Sequence, residues 1–168
     1  KEFSQDRNGN TTSVKEYDFV SYGSIGRTNG FPSSPPSGYG SAARSTYSTY
    51  YNGTPDISDT GTSSSYNYWD FGGIKNLTKS VEIQNSSSQP VSRTELYYDS
   101  GSYTSSPADG NLTETRSWDS TKGSLPSADG DGKKLYGSVH IATSAAYDSY
   151  GNVTTATDAR GYSTVYTY

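Results

Sequence analysis

Cysteine and methionine are both absent from this 168-residue chain, which removes disulfides, thiolate metal sites and thiol nucleophiles at once. Large aliphatic residues are scarce: Leu, Ile, Val and Phe together number 21, and hydrophobic residues of all kinds make up 29%, below the range usual for a globular domain. No stretch approaches the roughly 18 apolar residues of a membrane span, and no charged-then-apolar segment marks a signal peptide. Lys and Arg form no cluster and the net charge is −4, so nucleic acid, whose phosphates need concentrated positive charge, is a poor partner. Helix formers are sparse, and no window holds the i, i+3, i+4, i+7 spacing of an amphipathic helix.

What is abundant is tyrosine, with 17 residues. Low hydrophobicity alone suggests disorder, but a net charge of −4 gives little of the self-repulsion of a disordered chain, and Tyr supplies large, rigid, half-apolar rings. Tyr is therefore the expected core and ladder residue. Five aromatic residues are followed directly by Asp: Tyr17-Asp18, Trp69-Asp70, Tyr98-Asp99, Trp118-Asp119 and Tyr147-Asp148. Random order gives roughly one Tyr-Asp pair, so the set reads as a repeated structural element. Successive Asp residues lie 52, 29, 20 and 29 positions apart. A step of about 20 fits two short strands and two turns, and the longer steps read as units with insertions.

The residues after the pairs recur as well. Gly151-Asn152-Val153-Thr154 is echoed by Gly110-Asn111-Leu112-Thr113 and by Asn76-Leu77-Thr78, a turn entering a strand. Asp6 to Thr12 and Asp158 to Thr164, the latter with Gly161 in its turn, form a second recurrent element. Strands are expected over Val81 to Ile83, Val91 to Tyr98, Leu112 to Trp118, Leu135 to Tyr147, Val153 to Thr157 and Ser163 to Tyr168, all rich in Thr, Val, Ile and Tyr. Gly, Pro, Asn and Asp clusters separate them. The fold class is thus all-β, built of antiparallel β-hairpin repeats in a curved or spiralling sheet. Residues 23–65 differ, consisting mostly of Gly, Ser, Thr, Tyr, Pro and Asn. They read as an insertion lying across the sheet, pinned by Tyr39, Tyr47, Tyr50 and Tyr51.

Candidate chemistry is thin. His140 is the only histidine; alternation places it on the solvent side of a strand, opposite Val139 and Ile141. No Gly-X-Ser-X-Gly elbow supports a triad. Asp129-Gly130-Asp131-Gly132 and Asp6 to Asn10 gather oxygens as turns do, without the acidic twelfth position of a helix-loop-helix calcium site. No catalytic residue, metal or cofactor is therefore assigned, and the chain reads as non-enzymatic. Of six Asn-X-Ser/Thr sequons, Asn10, Asn76, Asn111 and Asn152 coincide with repeat turns, which leaves Asn52 and Asn85 as candidate glycan acceptors.

Residues 147–168 read Tyr-Asp, Gly-Asn-Val-Thr, Asp-Ala-Arg-Gly and Tyr-Thr-Tyr, with Tyr147, Asp148, Gly151, Asn152, Asp158, Gly161, Tyr166 and Tyr168 at the motif positions. This pattern closely resembles the YD repeat of the rearrangement hot spot (Rhs) family. The match weakens through Trp69 to Asp119, is partial in Asp6 to Asp18 and fails in 23–65. The resemblance implies a spiralling antiparallel sheet of the kind found in bacterial toxin shells, polymorphic toxins and teneurin ectodomains, which encapsulate, display or adhere. It organises the chain as a first YD-like hairpin (1–22), the insertion (23–65) and further hairpin repeats (66–168), one continuous unit. The expectation is an extracellular or cell-surface structural protein. It is either a segment of a longer YD-repeat shell or a filament subunit joined head to tail, with Tyr166-Thr167-Tyr168 meeting Lys1-Glu2-Phe3 of the next copy. An adhesin or carbohydrate-binding module using exposed Tyr and Trp faces is the alternative, with glycans as partners.

Overall fold

The computed structural model describes residues 1–6, 9–17, 27–28, 31–32, 42–51, 76–104 and 107–168. Asp18, Tyr39, Asn52, Trp69 and Asp70 lie outside these residues. The strands are β1 (Glu2–Gln5), β2 (Thr11–Glu16), β3 (Arg27–Thr28), β4 (Phe31–Pro32), β5 (Arg44–Tyr50), β6 (Thr78–Asn85), β7 (Pro90–Tyr98), β8 (Leu112–Trp118), β9 (His140–Tyr147), β10 (Val153–Thr157) and β11 (Ser163–Val165). β3 and β4 pair with each other. The other nine form one sheet in the order β1-β2-β5-β6-β7-β8-β9-β10-β11, every neighbouring pair antiparallel. Chain order and spatial order thus coincide, as they do when each strand folds back on the last. The sheet is not closed: β1 and β11 are its two edges.

Two expectations need correction. Arg44–Tyr50, inside the stretch expected to cross the sheet as an insertion, is the strand between β2 and β6. Its Thr46-Tyr47-Ser48-Thr49-Tyr50 run has good strand character, masked in the sequence by Gly- and Ser-rich flanks. The strand expected from Leu135 begins only at His140. Upstream, the Lys134 and Leu135 N–H groups donate to the carboxylate of Glu95 instead of a strand ladder, and Gly137 takes φ 65°, which breaks extended geometry.

One turn recurs five times among the described residues. It has Asx at position 1 and a left-handed residue at position 4: Asp6 to Asn10, Asn85 to Gln89, Asp129 to Lys133, Asp148 to Asn152 and Asp158 to Tyr162. In each, the position-1 N–H donates to the position-5 carbonyl and the position-4 N–H returns to the position-1 carbonyl, all between 2.9 and 3.1 Å. The Asx side-chain oxygen also takes the position-5 N–H, at 2.9–3.0 Å. Where all five positions are described, this is a type I turn closed by a left-handed residue, the usual three-residue hairpin link, with the Asx side chain as an extra backbone mimic. Position 4 is Gly9, Gly132, Gly151 and Gly161, at φ 80–86°, or Ser88 at φ 58°. Only Gly adopts such angles without steric cost.

The β7–β8 connection uses the same closure around an insertion. The Asp99 N–H donates to the Asn111 carbonyl at 2.8 Å. The Asp99 carboxylate gathers the N–H groups of Ala108, Asp109, Gly110 and Asn111 at 2.8–3.1 Å. The 20-residue step from Asp99 to Asp119 therefore covers β8 alone plus this inserted loop, not two strands. A full two-strand step is seen from Asp148 through β10 and β11.

Buried side chains are few, and about half of them are polar or charged. Tyr51, Tyr97, Tyr98, Tyr103 and Leu135 are the buried hydrophobic residues among those described, beside Ser45, Ser80, Glu82, Arg93 and Glu95. The four rings touch edge-on or tilted: Tyr51 to Tyr98 at 5.6 Å, Tyr51 to Tyr103 at 6.4 Å and Tyr97 to Tyr103 at 5.5 Å between centroids. Such geometries complement ring quadrupoles and add to area burial. Tyr is the core residue here, as its abundance suggested.

Candidate functional site

Three features of the sheet stand out: a rim stitched by tyrosines, a face carrying buried charges, and an open edge. The rim contains the starts of β2, β6, β8 and β10 and the ends of β5, β7, β9 and β11. Along it, the Tyr50 hydroxyl donates to the Thr11 carbonyl at 2.9 Å, Tyr98 to Thr78 at 3.2 Å, Tyr147 to Leu112 at 2.9 Å and Tyr168 to Val153 at 3.1 Å. Each bond runs from the end of one strand, or for Tyr168 from just beyond the end of β11, to the start of the preceding one. The first three of these tyrosines also sit opposite the next strand's opening residue: Tyr50 opposite Thr78, Tyr98 opposite Leu112 and Tyr147 opposite Val153. At each of those sites the register slips by one residue, a bulge at the strand's entry.

This geometry gives Gly-Asn-X-Thr a physical meaning in residues 110–113 and 151–154. Asn closes the turn on Asp, X offers the carbonyl that the tyrosine holds, and Thr113 and Thr154 are the extra residues at the bulge. The side-chain amides of Asn10 and Asn152 donate to Asp6 and Asp148 at 3.0 and 2.9 Å, so both are committed to their turns. Asn85, expected outside the repeat turns, in fact opens one of them, its side-chain oxygen accepting from the Ser87 and Gln89 N–H groups, although the residue itself is exposed.

Each described aromatic-Asp pair ends a strand, but not in one way. Tyr98 and Tyr147 latch sideways while Asp99 and Asp148 close the turn ahead. Trp118 and Asp119 lie on the opposite rim: the indole N–H donates forward to the Gly123 carbonyl at 3.0 Å, and Asp119 caps a short 3-10 turn, Ser120–Lys122, through Thr121. The Tyr17 hydroxyl donates to Glu2 at 2.7 Å. Asp158 and Gly161 form the β10–β11 turn, and the Tyr166 N–H donates to the Thr154 carbonyl.

On one face of the sheet, cross-strand register lines up Tyr47, Glu82 and Arg93, and beside them Thr49, Ser80, Glu95 and Arg116. The connection from β8 to β9 returns over this face. Arg93 reaches Glu95 at 2.9 Å, Glu82 at 3.1 Å and the Gly132 carbonyl at 2.9 Å. Lys134 Nζ meets Glu82 at 2.6 Å, and its backbone N–H meets Glu95 at 2.7 Å. Tyr97 donates to Glu95 at 3.2 Å, and Leu135, fully buried, passes its carbonyl to Arg116 at 3.1 Å. Arg116 also lies over the Tyr97 ring, 4.5 Å from its centroid, a cation–π contact. Burial pushes the Glu82 carboxyl up, but Lys134, Gln84 and Arg93 outweigh it and hold the group below its ordinary value. Burial raises the Tyr51, Tyr97, Tyr98 and Tyr103 hydroxyls and lowers Lys79, which sits 4.2 Å from the Tyr103 centroid.

These charges were missed in the sequence. Opposite charges two apart within one strand, Arg93-Thr94-Glu95 and Glu114-Thr115-Arg116, share a face and are the signal that marks it. His140 departs from expectation too. Its Nδ1 is buried with no hydrogen-bond partner, whereas Ile141 is exposed. The lowered affinity of His140 for a proton comes from burial first, then from Arg116 nearby.

Every carboxylate oxygen of Glu82 and Glu95 is engaged by protein donors, so this pair is arranged as a pin between loop and sheet. Among the described residues no group of three His, Asp or Glu is placed to hold a metal ion, and no helix is long and apolar enough to cross a membrane. Tyr50 and Tyr51, two of the residues expected to pin the 23–65 stretch, are tied to Thr11 and Leu96 by their hydroxyls, and Tyr51 is buried. Comparison with protein-family models, with curated proteins and with solved structures finds no match.

Proposed function

We propose that this chain is a non-catalytic, extracellular or cell-surface structural protein of YD-repeat type, whose sheet serves as a segment of a shell or as a subunit of a surface filament joined through strand edges. The observation that carries the reading is the repeated tyrosine latch. The same carbonyl-to-hydroxyl stitch ties four successive two-strand steps along one rim, and each step depends only on its neighbours. That is how solenoid-like repeats extend without a central core. The YD-like motif of residues 147–168, the exposed sequon at Asn85 and the complete internal pairing of the buried carboxylates support the same reading.

A tandem extension tests it. A second copy of residues 148–168 placed after Tyr168 supplies the Asp that follows the latch tyrosines Tyr98 and Tyr147, then a turn, two strands and a new terminal latch. The expected result is two more ordered strands, seen as protected amides in hydrogen exchange, and a higher unfolding midpoint. An appended segment that exchanges freely and is trimmed by protease sinks the repeat reading.

A further inference from the structure

We infer that β11 is a docking edge for a second copy of this chain, which pairs with it antiparallel through its own β11 about a two-fold axis. The inference goes beyond the repeat reading proposed above and concerns this one edge of the sheet. With nine strands and antiparallel pairing at every step, β1 and β11 run in the same direction. A copy stacked head to tail with its rims aligned would therefore set β1 parallel to β11, against the pattern of the whole sheet. Two copies of β11 related by a two-fold axis normal to the sheet are antiparallel instead.

The hydrogen-bonding phase of β11 suits that partner. The Tyr162 carbonyl accepts from Asp158 and the Tyr166 N–H donates to Thr154, both at 2.9 Å, so the even-numbered residues face β10. By alternation, Ser163, Val165 and Thr167 turn their N–H and C=O groups outward. Centred on Val165, the two-fold sets Val165 opposite Val165 and Ser163 opposite Thr167, a self-complementary ladder.

Charge selects between the two edges. Residues 161–168 carry no Lys, Arg, Asp, Glu, Pro or interior Gly, and all three residues of β11 are exposed. Val165 is 73% exposed and Tyr168, already latched to Val153, 78%. β1 instead begins beside Lys1 and Glu2, with Lys1 paired to Glu16. Charges on an edge strand are the usual guard against pairing. β11 lacks that guard.

Sedimentation and light scattering of the full 168-residue chain test the inference. The expected mass is twice 18.1 kDa. Val165→Pro removes an outward N–H without touching the β10 ladder, and is expected to return the protein to monomer with its far-ultraviolet circular dichroism unchanged. Because the chain has no cysteine, Val165→Cys is a second readout: residues facing across such a ladder lie about 5.5 Å apart at Cα, within disulfide range, so mild oxidation should yield a covalent dimer. A monomeric parent chain, a dimer that survives Val165→Pro, or a Val165→Cys protein that stays monomeric on oxidation each overturns the pairing. None of these outcomes touches the tandem extension, so failure here is distinguishable from failure of the repeat reading.

Discussion

Replacing Arg93 by Met should be the most damaging single change to this sheet. The guanidinium is 7% exposed and stands between two carboxylates, Glu82 at 8% and Glu95 at 0%. Met fills similar volume but leaves the Gly132 carbonyl without its donor and Glu95 without a cationic side chain against it. Removing one partner of a buried ion pair costs about 3–5 kcal/mol, because the remaining charge stays desolvated. Native domains of this size carry about 5–15 kcal/mol in all, and each kcal/mol moves the midpoint by about 2–4 °C. The expected fall is therefore about 6–20 °C, measured by thermal and urea unfolding, and it should persist in high salt, since buried pairs are screened little. Most of the loss should be regained in the variant that combines Glu82→Gln, Arg93→Met and Glu95→Gln, where no carboxylate is stranded. A loss below about 1 kcal/mol, the range of exposed pairs, would refute the view that this network is sealed beneath the β8–β9 connection.

The recurrent turn yields two changes of opposite sign: Gly151→Ala should destabilise by about 1 kcal/mol because φ is 82° there, whereas Ser88→Gly, at φ 58°, should stabilise by up to about 1 kcal/mol. Paired urea titrations check both, and equal signs would contradict the shared turn geometry. Tyr147→Phe deletes the latch to Leu112 and should cost about 0.5–1.5 kcal/mol, with faster hydrogen exchange concentrated where β8, β9 and β10 meet the rim. At Asp99, burial raises the carboxyl, but four backbone N–H groups together outweigh it and lower it below its ordinary value. Its folded value is depressed, so its stabilisation is full above the unfolded value of about 3.9 and is lost as pH falls through the folded one. Asp99→Asn should flatten stability against pH below about pH 4, with amides 108–111 losing protection at neutral pH.

The elements that were legible in the sequence are those whose signals are local. Leu112–Trp118 and Val153–Thr157 carry β-branched runs between turn residues, and both strands form with those limits. The Asp-X-X-Gly turn is equally local, since Asx and Gly serve the conformation of their own four or five residues. β5 was illegible because its strand character sits within a Ser- and Gly-rich stretch whose composition reads as loop. Leu135 was misread for a different reason. An aliphatic residue amid polar ones looks like the start of a strand, but here its N–H is captured by Glu95, 40 residues earlier in the chain. No local pattern encodes that distance.

The same distinction explains how the aromatic-Asp pair works on this rim. Its two halves act in opposite directions: at residues 147–148, Tyr147 reaches back to the strand before, and Asp148 closes the turn to the strand after. One dipeptide thereby joins three consecutive strands, β8, β9 and β10. A sheet stitched in this way does not need a broad aliphatic core to align its strands, which reconciles 29% hydrophobic content with a nine-stranded order. Where the pair falls on the other rim, as at Trp118-Asp119, the indole reaches forward and the chain leaves the rim, carrying Lys134 and Leu135 across the face to Glu82 and Glu95. The rim propagates the repeat and the face interrupts it with a pin. Extension of the sheet is then expected to follow the rim chemistry, through a residue that supplies the next latch or the next open carbonyl, and β11 with its latched Tyr168 is the edge where that chemistry stands exposed.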